Sequence, residues 1–478
     1  MNPTLIHILL PQIILAVMAM CVLLVGVYVP RLKTLTHYLA QAAIVLALAC
    51  VYVFRPHVAV TFLNGQLVWE PLSYVLSLAI LLSVFFVFVY SKDYTKVRNI
   101  PLPEFYALAL LSVFGMLVLV SSNNWLTLFL AMELFSLPIY AMVAIQREYG
   151  AGIEAAMKYF IYGAFASAVF LYGVSLLFGA TGHLNITQLA IALMSGSSAN
   201  TPMLLMGLIF TLTGICFKLG SAPFHMWVPD VYDGSPTQIT LFISSAPKLA
   251  AFALLIKLLV LSLPSLAFEW HEALVVIAIL SMALGNILAI AQDNIKRLLA
   301  YSSIAHMGYI LLAFSTATPQ GEEAALFYML AYLIMTLGAF GVLVLMSGEG
   351  IDVEKLEDLA GLNSRNPWLA FLMLLLMFSM AGVPPIVGFI AKLRILEALM
   401  QQHAFGLAIV ALLFAIIGAY YYLRVVMTMY FEPSAGDKKH TCSPFQSVAI
   451  GFNGLLVLVV GIYPAPLFMV CQWVLAQH

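Results

Sequence analysis

Four side chains in this sequence could carry protons through an apolar interior. Glu133 stands in Leu128-Phe129-Leu130-Ala131-Met132-Glu133-Leu134, with no charged neighbour in sequence. Lys218 stands in Gly214-Ile215-Cys216-Phe217-Lys218-Leu219-Gly220, just upstream of Pro223; Lys248 follows Pro247, and Lys392 lies beyond Pro384-Pro385. A lysine in mid-membrane costs roughly 2.5–3.5 kcal/mol on insertion scales, so several together require water or counter-charge. Burial disfavours an ammonium and a nearby carboxylate restores it, so moving that carboxylate, or its charge, loads or empties the amine. Glu133 with Lys218 is expected to form such a pair, with Lys248 as central carrier and Lys392 as the gate of the second half.

The prolines matter because each removes a helix hydrogen bond. Pro223 frees the carbonyl of Leu219, so loosened backbone should lie beside a buried amine. Pro138 is expected to break the helix of Glu133 in the same way. Lys158 lies one turn into its helix with Glu154 at i−4, which allows either an ion pair or an amine reaching to the headgroups. His225, in Pro223-Phe224-His225-Met226-Trp227, and His306, in Ser302-Ser303-Ile304-Ala305-His306-Met307-Gly308, can each pass a proton between two ring nitrogens. Lys257, near a helix end, reads as a snorkelling residue. Arg394 and Arg424 are divided between pairing and anchoring at the interface, and Glu397 is open to pairing with Lys392 or Arg394.

These groups need a membrane to be buried in, and composition supplies one. Of 478 residues, 63% are hydrophobic and 9% charged, a balance that a soluble core does not reach. A net charge of −1 gives no basic surface for nucleic acid. Cys21, Cys50, Cys216, Cys442 and Cys471 show no CxxC or CxxH spacing, so neither a metal site nor an iron–sulfur cluster is expected. There is no strand pattern and no glycine-rich phosphate loop, so no cofactor is expected in this chain. The N-terminal apolar run lacks a basic leader and reads as a retained first span.

Runs of about 20 apolar residues give about fourteen spans. They cover about 4–28, 35–54, 71–91, 103–121, 125–146, 153–180 and 203–226 in the first part, with boundaries good to a few residues. The rest cover about 236–262, 271–292, 298–316, 322–347, 367–402, 404–430 and 446–473. The fold class is therefore all-α integral membrane. Arg31, Lys33, Lys92, Lys96, Arg98, Arg147, Lys296, Arg297, Lys355, Arg365, Lys438 and Lys439 fall in alternate loops, and only Arg55 falls in a loop on the other side. By the positive-inside rule both termini face away from the cytoplasm.

The sequence also repeats itself. Glu154-Ala155-Ala156 opens one span and Glu323-Ala324-Ala325 another five spans later; each following span begins at a proline, Pro202 or Pro367, and breaks at Pro223 or Pro384-Pro385. An odd offset inverts the second copy, and broken helices at matching places in inverted halves point to a transport site. The expected organisation is a three-helix segment (1–102), a first five-helix repeat (103–262), an inverted second one (263–430), and a C-terminal loop and span (431–478).

The stretch from Lys218 through Pro223-Phe224-His225, Trp227, Pro229-Asp230, Tyr232 and Gly234 to Pro236 closely resembles the signature of the antiporter-like subunits of respiratory complex I. Asn294 to Tyr309 resembles the same family's span 10 motif. The resemblance covers nearly the whole chain. Lys392, where the M-type member typically has an acidic residue, and the short C-terminus, without the lateral helix of the L-type member, point to the N-type branch. It implies a share in redox-driven proton pumping in a bacterial inner membrane, with redox centres and quinone site in other subunits. It places Glu133, Lys218, Lys248 and Lys392 on key positions and matches Lys158 and His225. The implied partners are a neighbouring M-type subunit, a small K-type subunit and the lateral helix of an L-type subunit. A cation/proton antiporter subunit shares this ancestry and signature, and a scaffold whose buried charges only hold helices together is a third reading. A ferredoxin-fed homologue from a chloroplast or cyanobacterium fits the same motifs.

Overall fold

Long apolar runs without alternation become helices, because only a helix satisfies its own backbone in hydrocarbon. A computed structural model of the chain describes residues 3–29, 31, 33–56, 58–195, 201–347, 353–433 and 443–476. The loop lysines Lys438 and Lys439, and Cys442, lie outside them. The elements in order are α1 (Pro3–Tyr28), α2 (Leu35–Val53), the hairpin β1 (Val60–Phe62) and β2 (Leu67–Trp69), α3 (Pro71–Val97), α4 (Leu102–Ser121), α5 (Trp125–Val143), α6 (Gly150–Thr181) and α7 (Ile186–Met194). Then follow α8 (Thr201–Leu219), α9 (Trp227–Gly234), α10 (Thr237–Ser244), α11 (Ala246–Ile256), α12 (Ala267–Ile290), α13 (Ile295–Phe314), α14 (Pro319–Met346) and α15 (Leu362–Arg365). The chain closes with α16 (Pro367–Ala381), α17 (Val387–Gln401), α18 (Phe405–Phe431), α19 (Pro444–Ile462) and α20 (Ala465–Leu475).

Among the described residues, 13 helical segments are long and apolar enough to cross a membrane. The span expected at 367–402 with a break at Pro384-Pro385 is two shorter helices, α16 and α17, which meet at that break. The expected end of the seventh span at 226 is corrected: α8 stops at Leu219, and a turn leads to α9. Pro138 sits inside an unbroken α5, contrary to expectation. The last span breaks at Tyr463-Pro464. The absence of strands is corrected by the hairpin, where Val60 pairs Trp69. Its turn is tied to the loops that follow α4 and α6, through Asn123 N to Gln66 O (2.7 Å) and Asn185 Nδ2 to Gly65 O (2.9 Å).

Burial separates centre from periphery. The most hydrophobic stretch of Thr237–Ser262 is wholly buried and that of α14 is 89% buried, whereas those of α1 and α18 are each 28% buried. α10, α11 and α14 thus form the axis of the molecule, and α1 and α18 face lipid or neighbours.

Both breaks use one device. A helix ends, a left-handed glycine follows (Gly220 at φ 74°, Gly382 at φ 90°), and a proline stands shortly beyond. A left-handed residue after the last turn is accessible to glycine without the Cβ clash. The result is two helix C-termini, those of α8 and α16, with carbonyls that no longer bond within the helix.

Candidate functional site

The freed carbonyls are where two of the lysines go. Lys248, on the first turns of α11 and 1% exposed, donates to the carbonyl of Leu219 at 2.9 Å and to Ser303 Oγ at 2.5 Å. Lys392, on α17, donates to the carbonyls of Met380 (2.9 Å) and Ala381 (2.8 Å) at the end of α16. A helix C-terminus carries a partial negative charge, so each break makes a site for a cation, buried at Lys248 and half-buried at Lys392. Neither amine has a carboxylate within ion-pairing distance among the described residues. Lys392 also borders a cavity of about 120 Å3 lined by Tyr309, Gly382, Phe389, Leu396 and Ala411.

Lys218, on the last turn of α8 and 7% exposed, donates to Ser136 Oγ at 2.8 Å and lies 3.3 Å from the Tyr140 hydroxyl. Both partners are on α5, and with Glu133 they form a stripe at i, i+3 and i+7. The expected direct Glu133–Lys218 ion pair is not formed. Glu133 instead accepts a hydrogen bond from the Ser167 hydroxyl on α6. Glu133 is only half-buried, although it sits within a span.

α13 ties the lysines together. Asn294 caps it, accepting from Arg297 N, and its face at Ser302, Ser303, His306 and Tyr309 follows helical spacing. Ser303 contacts Tyr332 at 2.8 Å as well as Lys248. His306 is 2% exposed; its Nδ1 is 2.8 Å from the Tyr328 hydroxyl and its Nε2 3.1 Å from that of Tyr422. Tyr422 in turn meets Ser302 at 2.5 Å. The His306 and Tyr332 rings lie 5.5 Å apart, Tyr309 stacks on Tyr328, and the Lys392 ammonium sits 5.3 Å above the Tyr309 ring. Two hydrogen-bonded groups, one around Lys248 and one around His306, thus adjoin through aromatic contacts that continue to Lys392.

Lys158 and His225 stand apart from this arrangement. Lys158 is partly exposed and bonded at 2.9 Å to both Glu154 and Asp230. Arg297 also reaches Asp230 (3.1 Å), and Lys296 reaches Glu354 (3.6 Å), so these residues form a charge network at the end bearing the basic loops. Burial raises the Asp230 carboxyl, but hydrogen bonds from Lys158 and Arg297 prevail and hold it below the usual carboxylate range. His225 lies in the turn after α8, and its Nδ1 has no hydrogen-bond partner among the described residues.

The snorkelling reading of Lys257 is overturned. The residue is 0% exposed, donates to the Ser122 carbonyl at 2.7 Å and lies 3.9 Å from Glu70. It opens a π-helical turn, Lys257–Ser262. Arg394 pairs with Glu397 (3.0 Å), and Arg424 pairs with Asp293 (2.6 Å). Sequence reasoning missed Ser136, Tyr140, Ser167, Tyr328, Tyr332 and Tyr422, whose hydroxyls do the connecting. The spacing of Ser302, Ser303, His306 and Tyr309 was the one available signal.

A multi-pass helical membrane protein with two interrupted helices and lysines seated on their loose ends belongs to the class of ion-translocating membrane proteins. The comparisons specify which. Residues 122–418 match the transmembrane family described as NADH:quinone oxidoreductase/Mrp antiporter, and the chain belongs to that family. A Coxiella burnetii protein named NADH-quinone oxidoreductase subunit N is 51% identical over 464 residues, 96% of each chain. A Thiobacillus denitrificans protein of the same name is 50% identical over 86% of this chain and 84% of its own. A chain of respiratory complex I from Thermus thermophilus superposes with TM-score 0.81 at 34% identity, covering 96% of this chain and 98% of its own. A chain of the Mrp complex from Dietzia superposes with TM-score 0.83 at 18% identity, over 100% of this chain and 98% of its own, a likeness of fold alone.

Proposed function

We propose that this chain is a proton-translocating membrane subunit of NADH:quinone oxidoreductase, in which Glu133, Lys218, Lys248, Lys392 and His306 relay protons and redox chemistry in other subunits drives them. The observation that carries the reading is the seat of Lys248. Its ammonium is held by a freed helix carbonyl and a serine hydroxyl, and Ser303 and Tyr332 lead from it towards His306. An amine on neutral acceptors can give up its proton without leaving a buried carboxylate unpaired. The names of the curated relatives and the likeness to a complex I chain support the assignment to that enzyme.

The division into inverted repeats at 103–262 and 263–430 is part of this reading, supported by the shared design of the two breaks. So is placement in a bacterial inner membrane with both termini on the non-cytoplasmic side, supported by the alternation of basic loops. A half-exposed carboxylate at Glu133 within a span calls for a covering neighbour; M-type, K-type and L-type subunits are the proposed partners. Lys158 and His225 are assigned to the periphery of the relay, and no redox cofactor is assigned to this chain.

The test is to purify the chain with its partners and reconstitute it in liposomes. NADH oxidation coupled to proton uptake, with both lost in the same fraction when the chain is absent, is the expected result. Sodium-for-proton exchange without NADH-oxidising partners would favour the antiporter reading instead. Wild-type proton uptake in both Glu133→Ala and Lys218→Ala would remove those residues from the relay.

A further inference from the structure

A second buried polar cluster lies at the end of the protein that carries Lys92, Lys96 and Arg98. His37 on α2 is buried, and its Nδ1 is 2.8 Å from the Tyr106 hydroxyl on α4. Thr95 on α3 stands beside that hydroxyl, and its Oγ1 lies 2.5 Å from the Ser91 carbonyl, to which it donates, and 2.7 Å from the Gln238 side-chain amide on α10. Gln238 Nε2, Thr237 Oγ1 and Ser91 Oγ have no hydrogen-bond partner among the described residues, and all three residues are 0% exposed. Further in, the Tyr232 hydroxyl stands beside Ser303 and Tyr332, the neighbours of Lys248. Lys92, Lys96 and Asp93 are the charged groups around the His37 end.

A buried donor left unpaired costs about 1–3 kcal/mol. Native proteins meet that need with ordered water where the site is polar. Unsatisfied groups gathered on α3 and α10, next to a histidine and a tyrosine in contact, are the lining that a wet passage needs. A cluster that served as glue would use its donors up internally.

We propose that His37, Tyr106, Thr95 and Gln238 form a hydrated proton inlet between the three N-terminal helices and the core, delivering protons to the Lys248 cluster through Tyr232. The inference rests on the proton-relay reading above and adds an access route to it. Each hop between water, His37, Tyr106 and Thr95 forms one O–H or N–H bond as the next breaks, the Gln238 amide orients water without taking the proton, and rotation of the hydroxyls and waters then restores the starting state. About 15 Å, the rise of α10 and the first turn of α11, separates Gln238 from Lys248, a distance that bound water and the Tyr232 hydroxyl must cover.

Two measurements test it in the intact complex. Radiolytic labelling by pulsed X-rays uses bound water itself as the probe. Tyr106 and Phe170 are both 0% exposed; Tyr106 should label about tenfold faster if water occupies the cluster. Equal, slow labelling overturns the inlet. The second measurement is proton uptake by inverted vesicles carrying the double variant Thr95→Val with Gln238→Leu, expected to fall about tenfold, with recovery in Thr95→Ser. Wild-type uptake in the double variant overturns the inlet if Lys248→Met is inactive, and overturns the relay reading itself if Lys248→Met is also active. If the double variant fails to assemble, the labelling of the unaltered complex decides.

Discussion

Lys248 and Lys158 are both lysines on helices of a membrane protein, and they are held in opposite ways. Lys248 rests on a backbone carbonyl and a serine in the interior. Lys158 rests on two carboxylates at a partly exposed end. Carboxylates stabilise the charged amine and fix it, whereas carbonyls and hydroxyls hold it while leaving discharge within reach. Lys392 follows Lys248, while Lys257 combines the two, donating to the Ser122 carbonyl at 2.7 Å with the Glu70 carboxylate 3.9 Å away. On the proposed relay, a carboxylate close to the amine, more than depth, is what separates a brace from a carrier.

That contrast can be broken by substitution. Lys248→Met should lower proton translocation at least about tenfold in assembled complex, since it removes a proton carrier; uptake at the wild-type rate would place Lys248 with the braces. Lys257→Met should act on stability instead. It strands the Glu70 carboxylate in the interior, a loss of about 3–5 kcal/mol. Thermal inactivation of the purified complex measures it, and Glu70→Gln added to Lys257→Met should recover most of the loss. His306→Phe keeps the ring and removes both nitrogens, so translocation should fall by a smaller factor, about two- to tenfold, with assembly retained. Lys158→Met should leave translocation within about twofold, because Lys158 rests on Glu154 and Asp230 outside the hydrogen-bonded groups around Lys248 and His306. Arg394→Ala, on an exposed i,i+3 pair, should shift stability by about 0.5 kcal/mol or less.

The fold was legible because membrane helices announce themselves by run length, and because Gly220, Pro223, Gly382 and Pro384-Pro385 mark the breaks in plain sequence. Leu219 shows how far local chemistry reaches: proline at 223 predicts a freed carbonyl there, and Lys248 occupies it. What the sequence could not show is partnership across helices. Nothing near Glu133 in sequence indicates that Ser167 would bond it in place of Lys218. Tyr332 and Tyr422 look like ordinary core aromatics until their hydroxyls are seen beside Ser303 and His306. Lys257 misled because its distance from the helix end suggested an escape to the headgroups, which the Ser122 carbonyl and Glu70 remove. Pro138 misled because a proline in an apolar helix can be absorbed without a break.

The most direct measurement is a density map of the assembled complex that resolves ordered water along the bilayer midplane. Polar atoms and waters should link Lys218, Lys248, His306 and Lys392 at hydrogen-bond distances of about 2.7–3.2 Å throughout. Apolar side chains filling the space between Lys248 and Lys392, with each amine isolated or turned to lipid, would contradict the relay.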